Sequence, residues 1–286
     1  MTRRFPVFVA LAAVLVAISA LGLWIIASTP ATWRLSPREG RPTANGRTLA
    51  GTTVMHEGEW VETDDRSRAR LLIPRVGWID VGYGTRLQVG RAGRPDYRVV
   101  LERGRVAVRV TTSPALFRLE SAAAKLIGYG GAYTLEIGPG GVGTLRVGSG
   151  WAALEWRTRQ SVVPAGAACP LRADGPGTPY FEDASAAFRE ALDAIDTRSV
   201  DSLFRRIAID VVLTEARPRD ALTLWHLGSR VESSVRGAVL DRLAALAPPP
   251  AGVTRDGMID GDAAMRERWF ASLGLGPAPW SQAVGR

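Results

Sequence analysis

Two histidines, His56 and His226, and one cysteine, Cys169, are the residues of this 286-residue chain best suited to proton transfer near neutral pH, to nucleophilic attack or to soft-metal binding. Imidazole changes charge close to neutral pH, so each histidine is a candidate acid, base or ligand. His56 falls at the end of an expected strand, and His226 follows Trp225 on a helix with apolar neighbours. Both therefore read as structural. Cys169 stands alone, so an internal disulfide is impossible, and beside Pro170 in an expected loop it reads as an inert thiol. The spacings HExxH and GxSxG and any Cys/His cluster are missing from the sequence.

Three further segments carry chemistry-bearing groups. Asp256-Gly257-Met258-Ile259-Asp260-Gly261-Asp262 could offer oxygens to calcium, but it lacks the D-x-D-x-D-G order and the bidentate Glu of a calcium loop. Helix capping by Asp260 or Asp262 explains it more simply. Gly128-Tyr129-Gly130-Gly131 resembles a nucleotide loop only in its glycines; it precedes a strand and lacks the Lys-Ser/Thr of a P-loop, so it reads as a turn. Glu62, Asp64 and Asp65 are followed directly by Arg66, Arg68 and Arg70, which describes a solvated turn better than a glycosidase acid pair. The sequence thus names no catalytic residue, no metal ligand and no cofactor, leaves partner-binding residues unassigned, and is not expected to encode an enzyme.

The elements that would carry these groups are of two kinds. From Leu49 to Val163, short alternating runs recur between glycine turns, among them Arg68–Ile73, Trp78–Val81, Tyr97–Leu101 and Arg105–Val110. A period of two with Val, Thr, Tyr and Trp marks antiparallel structure. Ala132–Ile137, Thr144–Val147 and Trp151–Trp156, separated by Gly138-Pro139-Gly140-Gly141 and Gly148-Ser149-Gly150, read as a three-strand meander. Gly58, Gly104 and Gly150 recur at a constant interval, which hints at a repeated unit with glycine at each turn. After a Pro/Gly-rich loop, the period becomes helical. Phe188, Ala191, Leu192 and Ile195 form one stripe, and Val200, Leu203, Phe204, Ile207 and Val211 a second. A third helix runs from Pro218 through Leu227, a fourth starts at Ser233 or Ser234 and stops at Pro248, and a last covers Asp262 to Leu273.

The start of the chain has a different character. Phe5 to Ala27 is an unbroken apolar run behind Arg3 and Arg4, long enough at about 1.5 Å per residue to cross a hydrocarbon layer of roughly 30 Å. The positive-inside rule keeps its amino end in the cytoplasm, and Trp24 and Trp33 flank the outer boundary. A cleaved signal peptide is the alternative, but its apolar region is usually shorter. The expected organisation is a cytoplasmic tail (1–4), a transmembrane helix (5–27), a stalk (28–48), a β domain (49–170), a linker (171–184), a helical domain (185–275) and a tail (276–286). The expected fold class is mainly β with α: one membrane helix, a β-sandwich-like or β-solenoid-like domain and a small helical domain. The expected place is the inner membrane, with the bulk of the chain outside the cytoplasm. Net charge is +8, carried by arginine because Lys125 is the sole lysine. That excess raises nucleic acid as a partner, but the topology argues against it; a milder reading is attraction to anionic lipid headgroups or an acidic protein, and the alternative is an even scattering of arginines.

The order of several pieces resembles the FecR domain. They are Gly58-Glu59-Trp60-Val61-Glu62-Thr63, Ser67-Arg68-Ala69-Arg70-Leu71, Gly84-Thr85-Arg86-Leu87, Leu101–Val108, Tyr133–Ile137, Val147–Leu154 and Val162–Gly166, over roughly residues 49 to 170. The resemblance implies a signalling partner of sigma factors that acts by binding, as a sensor or adaptor in the envelope, with a protein partner such as an anti-sigma factor. The family's cytoplasmic sigma-binding segment has no counterpart in four residues, and its receptor-contacting carboxy-terminal module is replaced by helices. Leu222–Leu227 and the helix after it look faintly like one HEAT-type pair. A passive envelope scaffold or glycan binder is the alternative.

Overall fold

A computed structural model describes residues 32–275 except 75, 94–95, 112–116, 158 and 198–200. The β part comprises β1 (Trp33–Glu39), β2 (Thr43–Ala44), β3 (Arg47–Thr48), β4 (Thr53–Met55), β5 (Trp60–Glu62), β6 (Arg68–Ile73), β7 (Gly77–Val81) and β8 (Arg86–Gly93). It continues through β9 (Asp96–Val110), β10 (Phe117–Glu120), β11 (Lys125–Ile137), β12 (Gly143–Trp156), β13 (Arg159–Pro164), β14 (Ala167–Arg172), β15 (Gly175–Pro176) and β16 (Tyr180–Phe181). Helices α1 (Ala186–Asp196), α2 (Ser202–Glu215), α3 (Ala221–Gly228), α4 (Ser233–Leu246), α5 (Arg255–Asp260) and α6 (Ala263–Ser272) complete the order. The molecule is mainly β with a carboxy-terminal helical region.

All strands join one sheet, whose main path runs β15-β14-β12-β11-β10-β9-β7-β6-β1-β4. Pairing is antiparallel except for β9 with β10, where Tyr97 to Val100 lie beside Phe117 to Glu120 in parallel. Alternation places Ala69, Leu71 and Ile73 of β6 in the core, as period-two patterning requires. Along β9 the buried set is Tyr97, Val99 and Leu101, then Val106, Val108 and Val110. The phase slips by one residue between Leu101 and Val106. Without correction, half the strand would turn its apolar face to water. A bulge opposite Arg86 and Leu87 takes up the slip, with Gly104 at φ 99°. Two expected strands thereby become one.

The expected three-strand meander is likewise two long strands. β11 and β12 pair from Lys125–Glu155 to Ile137–Gly143 with register shifts between Gly128 and Tyr133. Gly148-Ser149-Gly150 is a bulge within β12 rather than a turn, and Gly128–Gly131 lies within β11. A Cβ on Gly131 would sit 2.0 Å from the Ser149 carbonyl oxygen, so glycine is needed where the two bulged backbones close on each other. The evenly spaced glycines share a positive φ, but Gly104 and Gly150 sit inside strands.

The amino-terminal expectations are corrected. Among the described residues no helix is long and apolar enough to cross a membrane. The apolar run 5–27 and Trp24 lie outside the described residues. A single-pass architecture and an inner-membrane location are therefore withdrawn. Trp33, expected at a membrane boundary, is fully buried in β1 and meets Tyr97 with ring centroids 6.4 Å apart. The stretch expected as a stalk contributes β1 to the sheet, where it pairs with β4 and β6.

The helices form a second core that shares Val162 with β13, while the neighbouring Val163 belongs to the sheet's core. Phe188, Ala191, Leu192 and Ile195 of α1 are buried as their spacing predicts. The α2 stripe faces outward at Leu203 (62% exposed), Phe204 (66%) and Ile207 (50%), while Val211 packs partly buried against the helical core, into which Ala208, Ile209 and Val212 are buried. Val200 lies outside the described residues. Glu232, not a serine, precedes the first turn of α4, and α5 is an element that the sequence did not announce.

Candidate functional site

The site is built where the helices meet the free side of β13. That strand pairs with β12, from Trp151–Pro164 to Trp156–Arg159. The Val162 N–H donates to His226 Nε2 at 3.3 Å, so the helical layer satisfies a strand donor that would otherwise be buried without a partner. His226 lies on α3, a helix buried along its whole length because sheet and helices cover it from opposite sides. Leu222 enters the sheet's core, and Thr223 Oγ1 donates to the Pro179 carbonyl at 2.8 Å.

At the end of α3 the chain turns through Ser229 into Arg230. The guanidinium donates to Ser161 Oγ at 2.6 Å and to Thr178 Oγ1 at 3.1 Å, both neutral acceptors. Asp196, the carboxylate that exerts attraction on Arg230, accepts from the Thr178 N–H at 2.5 Å and from its hydroxyl at 2.9 Å. Burial, and then repulsion by Arg159, hold Arg230 below the usual arginine range. Opposite stands α6, whose N-cap Asp262 accepts from the Met265 N–H at 2.8 Å. It carries Arg266 to 5.5 Å from the Trp225 ring, where burial and then repulsion by Arg236 depress the guanidinium. Arg159, Gln160, Trp225, Ser229, Arg230 and Arg266 surround a cavity of about 550 Å³. Its lining combines forked donors and positive charge with an aromatic wall.

The residues singled out by the sequence fall partly around this cavity. His226 is held well below the ordinary imidazole range by burial and then by the Arg230 charge; it stays neutral and serves as an acceptor. Cys169 lies in β14 rather than in a loop. Burial pushes its thiol up to about 12, and Sγ donates to the Gly177 carbonyl. Such a thiol carries little thiolate at neutral pH. His56 is remote and exposed, its backbone N–H donating to Glu59 at 2.8 Å. Asp262 caps α6, whereas Asp260 ends α5. Glu62 lies 3.6 Å from Arg86, and Asp64 closes an exposed turn, its carboxyl lowered by the Ser67 hydroxyl and the Arg66 N–H. Among the described residues no group of His, Cys, Asp and Glu could hold a metal ion.

Sequence reasoning passed over Arg159, Arg230 and Arg266. Arginine is spread throughout this chain, so residue type alone carries no signal. What distinguishes these three is that the fold places them around one cavity whose lining holds no carboxylate.

No family model and no curated protein matches the chain. Two solved structures of a "putative anti-sigma factor" from Parabacteroides distasonis are similar to part of it, each with a TM-score of 0.38 and 14% identity. The matches cover 48% and 46% of this chain, and the chain spans 63% of the length of each neighbour.

Proposed function

We propose that the chain acts by binding, as a FecR-like sensor or adaptor in a regulatory circuit built on a sigma factor and its anti-sigma factor. The observation that supports this reading is how the resembling pieces meet. Trp60, Val61 and Glu62 of the opening piece pair in register with Gln88, Leu87 and Arg86, two of which belong to the third piece. Thr63, which closes the first piece, and Thr85 of the third bond to each other. The Arg86 guanidinium lies 4.3 Å from the Trp60 ring centroid. Pieces separated in sequence thus assemble one local unit, which generic strand motifs would not need to do. The protein partner is proposed to be a sigma-factor regulator.

Transcript profiling of a deletion strain and a complemented strain tests this role. Transcripts sharing one promoter class should change severalfold on deletion and return when the gene is restored. A deletion that alters no promoter class overturns the proposal, and a change confined to cell shape or surface integrity would favour a passive scaffold.

A further inference from the structure

The cavity between β13, the end of α3 and α6 has properties that packing alone does not require. No carboxylate is among its lining residues. None of the described ion pairs includes Arg159, Arg230 or Arg266. Elsewhere in this molecule arginines are commonly matched: Arg70 with Asp80, Arg217 with Asp220, Arg255 with Asp241. Like charges held together cost stability, and Asp196 stands outside the cavity lining, so a negative charge inside the cavity would be favoured. Asp196 attracts Arg230 across the shared Thr178 hydroxyl, but the charge on the cavity lining is all positive: Arg230 and Arg266 both act on the buried His226, and Arg159 acts on Arg230.

The geometry points to a binding site for a small molecule carrying at least two oxyanionic charges, phosphate or carboxylate, held by Arg159, Arg230 and Arg266 with Gln160 and Ser229 as neutral donors. The volume of about 550 Å³ falls inside the range of small-molecule pockets, roughly 300–1,000 Å³. Arg230 is fixed by Ser161 and Thr178 before any ligand arrives, so its ordering cost is already met by the fold. Arg159, with an exposed side chain, and Arg266, half buried over Trp225, close on the ligand from β13 and α6. The site joins two layers. A bound anion would tie α6 to β13 across the boundary between the sheet and the helical region. This deepens the sensor reading by giving it a ligand class, and rests on that reading only for its purpose, since binding is measurable without any partner.

The test is isothermal titration calorimetry on the purified full chain, with pyrophosphate and citrate as probes and ionic strength held constant with sodium chloride. Saturable one-to-one binding of at least one probe, with Kd below about 1 mM, is expected. A tighter pyrophosphate arm identifies a phosphate ligand, and a tighter citrate arm a carboxylate ligand. The double variant Arg159→Gln/Arg266→Gln should weaken binding at least about tenfold, the effect of losing one charge-assisted contact. Its ligand-free melting temperature should hold or rise, because like-charge repulsion is relieved. Arg159→Gln alone, an exposed change, serves where the double variant does not fold. Absence of saturable binding by both probes, or equal affinity in wild type and variant, overturns the proposal. Transcript changes on gene deletion without such binding would leave the regulatory role standing and remove only this ligand.

Discussion

Thr63 Oγ1 accepts the backbone N–H of Thr85 at 2.9 Å and donates to the Gly82 carbonyl at 2.6 Å, while the Thr63 N–H donates to the Thr85 carbonyl at 2.9 Å. Thr85 Oγ1 in turn accepts the Arg105 N–H at 3.0 Å. The two hydroxyls pin the end of β5, the start of β8 and the bulge of β9 at one buried point. Thr63→Val keeps the shape but leaves the Thr85 N–H without an acceptor. Loss of about 1–3 kcal/mol in urea unfolding is expected. A change within the error of the midpoint would show that the bond contributes nothing.

Gly58 and Gly104 share a left-handed backbone, with φ 88° and 99°, but differ in surroundings. A Cβ on Gly58 meets nothing within 4 Å, whereas on Gly104 it would lie 2.4 Å from Thr85 Cα. Gly58→Ala should cost only the conformational term, about 1–2 kcal/mol. Gly104→Ala should add about 1–3 kcal/mol of overpacking to it. Thermal unfolding of the two variants side by side checks the ranking, and equal losses would contradict it.

Because His226 is buried and neutral, the folded chain refuses a proton that the unfolded chain takes up below the ordinary value of 6.5. The unfolded state then binds more protons, so stability is complete above that value and falls as pH drops beneath it. The slope for one such group is at most about 1.4 kcal/mol per pH unit. Chemical denaturation at about pH 7.5 and about pH 5 should show this loss, and His226→Gln should flatten it. Identical pH slopes in the two proteins would assign the loss to other groups.

The outward stripe of α2 should be nearly silent in stability. Phe204→Ser is expected to shift unfolding by no more than about 0.5 kcal/mol, as an exposed surface change does. Leu243→Ala, in the buried face of α4, should cost about 2–5 kcal/mol. Comparable losses at the two positions would mean that α2 packs the other way round.

Periodicity was enough to read β6 and β7, the buried face of α1 and the cap of α6, because there the local pattern and the final environment demand the same thing. Ala69, Leu71 and Ile73 alternate inward, Phe188 to Ile195 recur at helical spacing, and Asp262 caps the helix that begins at Ala263. The threonines of the resembling pieces were visible as residue types, while their mutual bond was not, since it joins positions far apart in sequence. Glycine likewise showed where the backbone bends but not whether the bend is a turn or a bulge; the neighbouring strand decides that, as β12 does for Gly131. The expected α2 stripe holds only at Val211, for a related reason. An apolar face predicts burial only when another surface is there to receive it, and the tertiary arrangement offered Ala208, Ile209 and Val212 instead. The arginine cavity lay wholly beyond the sequence. Charge alone is common in this chain, and only folding brings Arg159, Arg230 and Arg266 around one space whose lining holds no carboxylate.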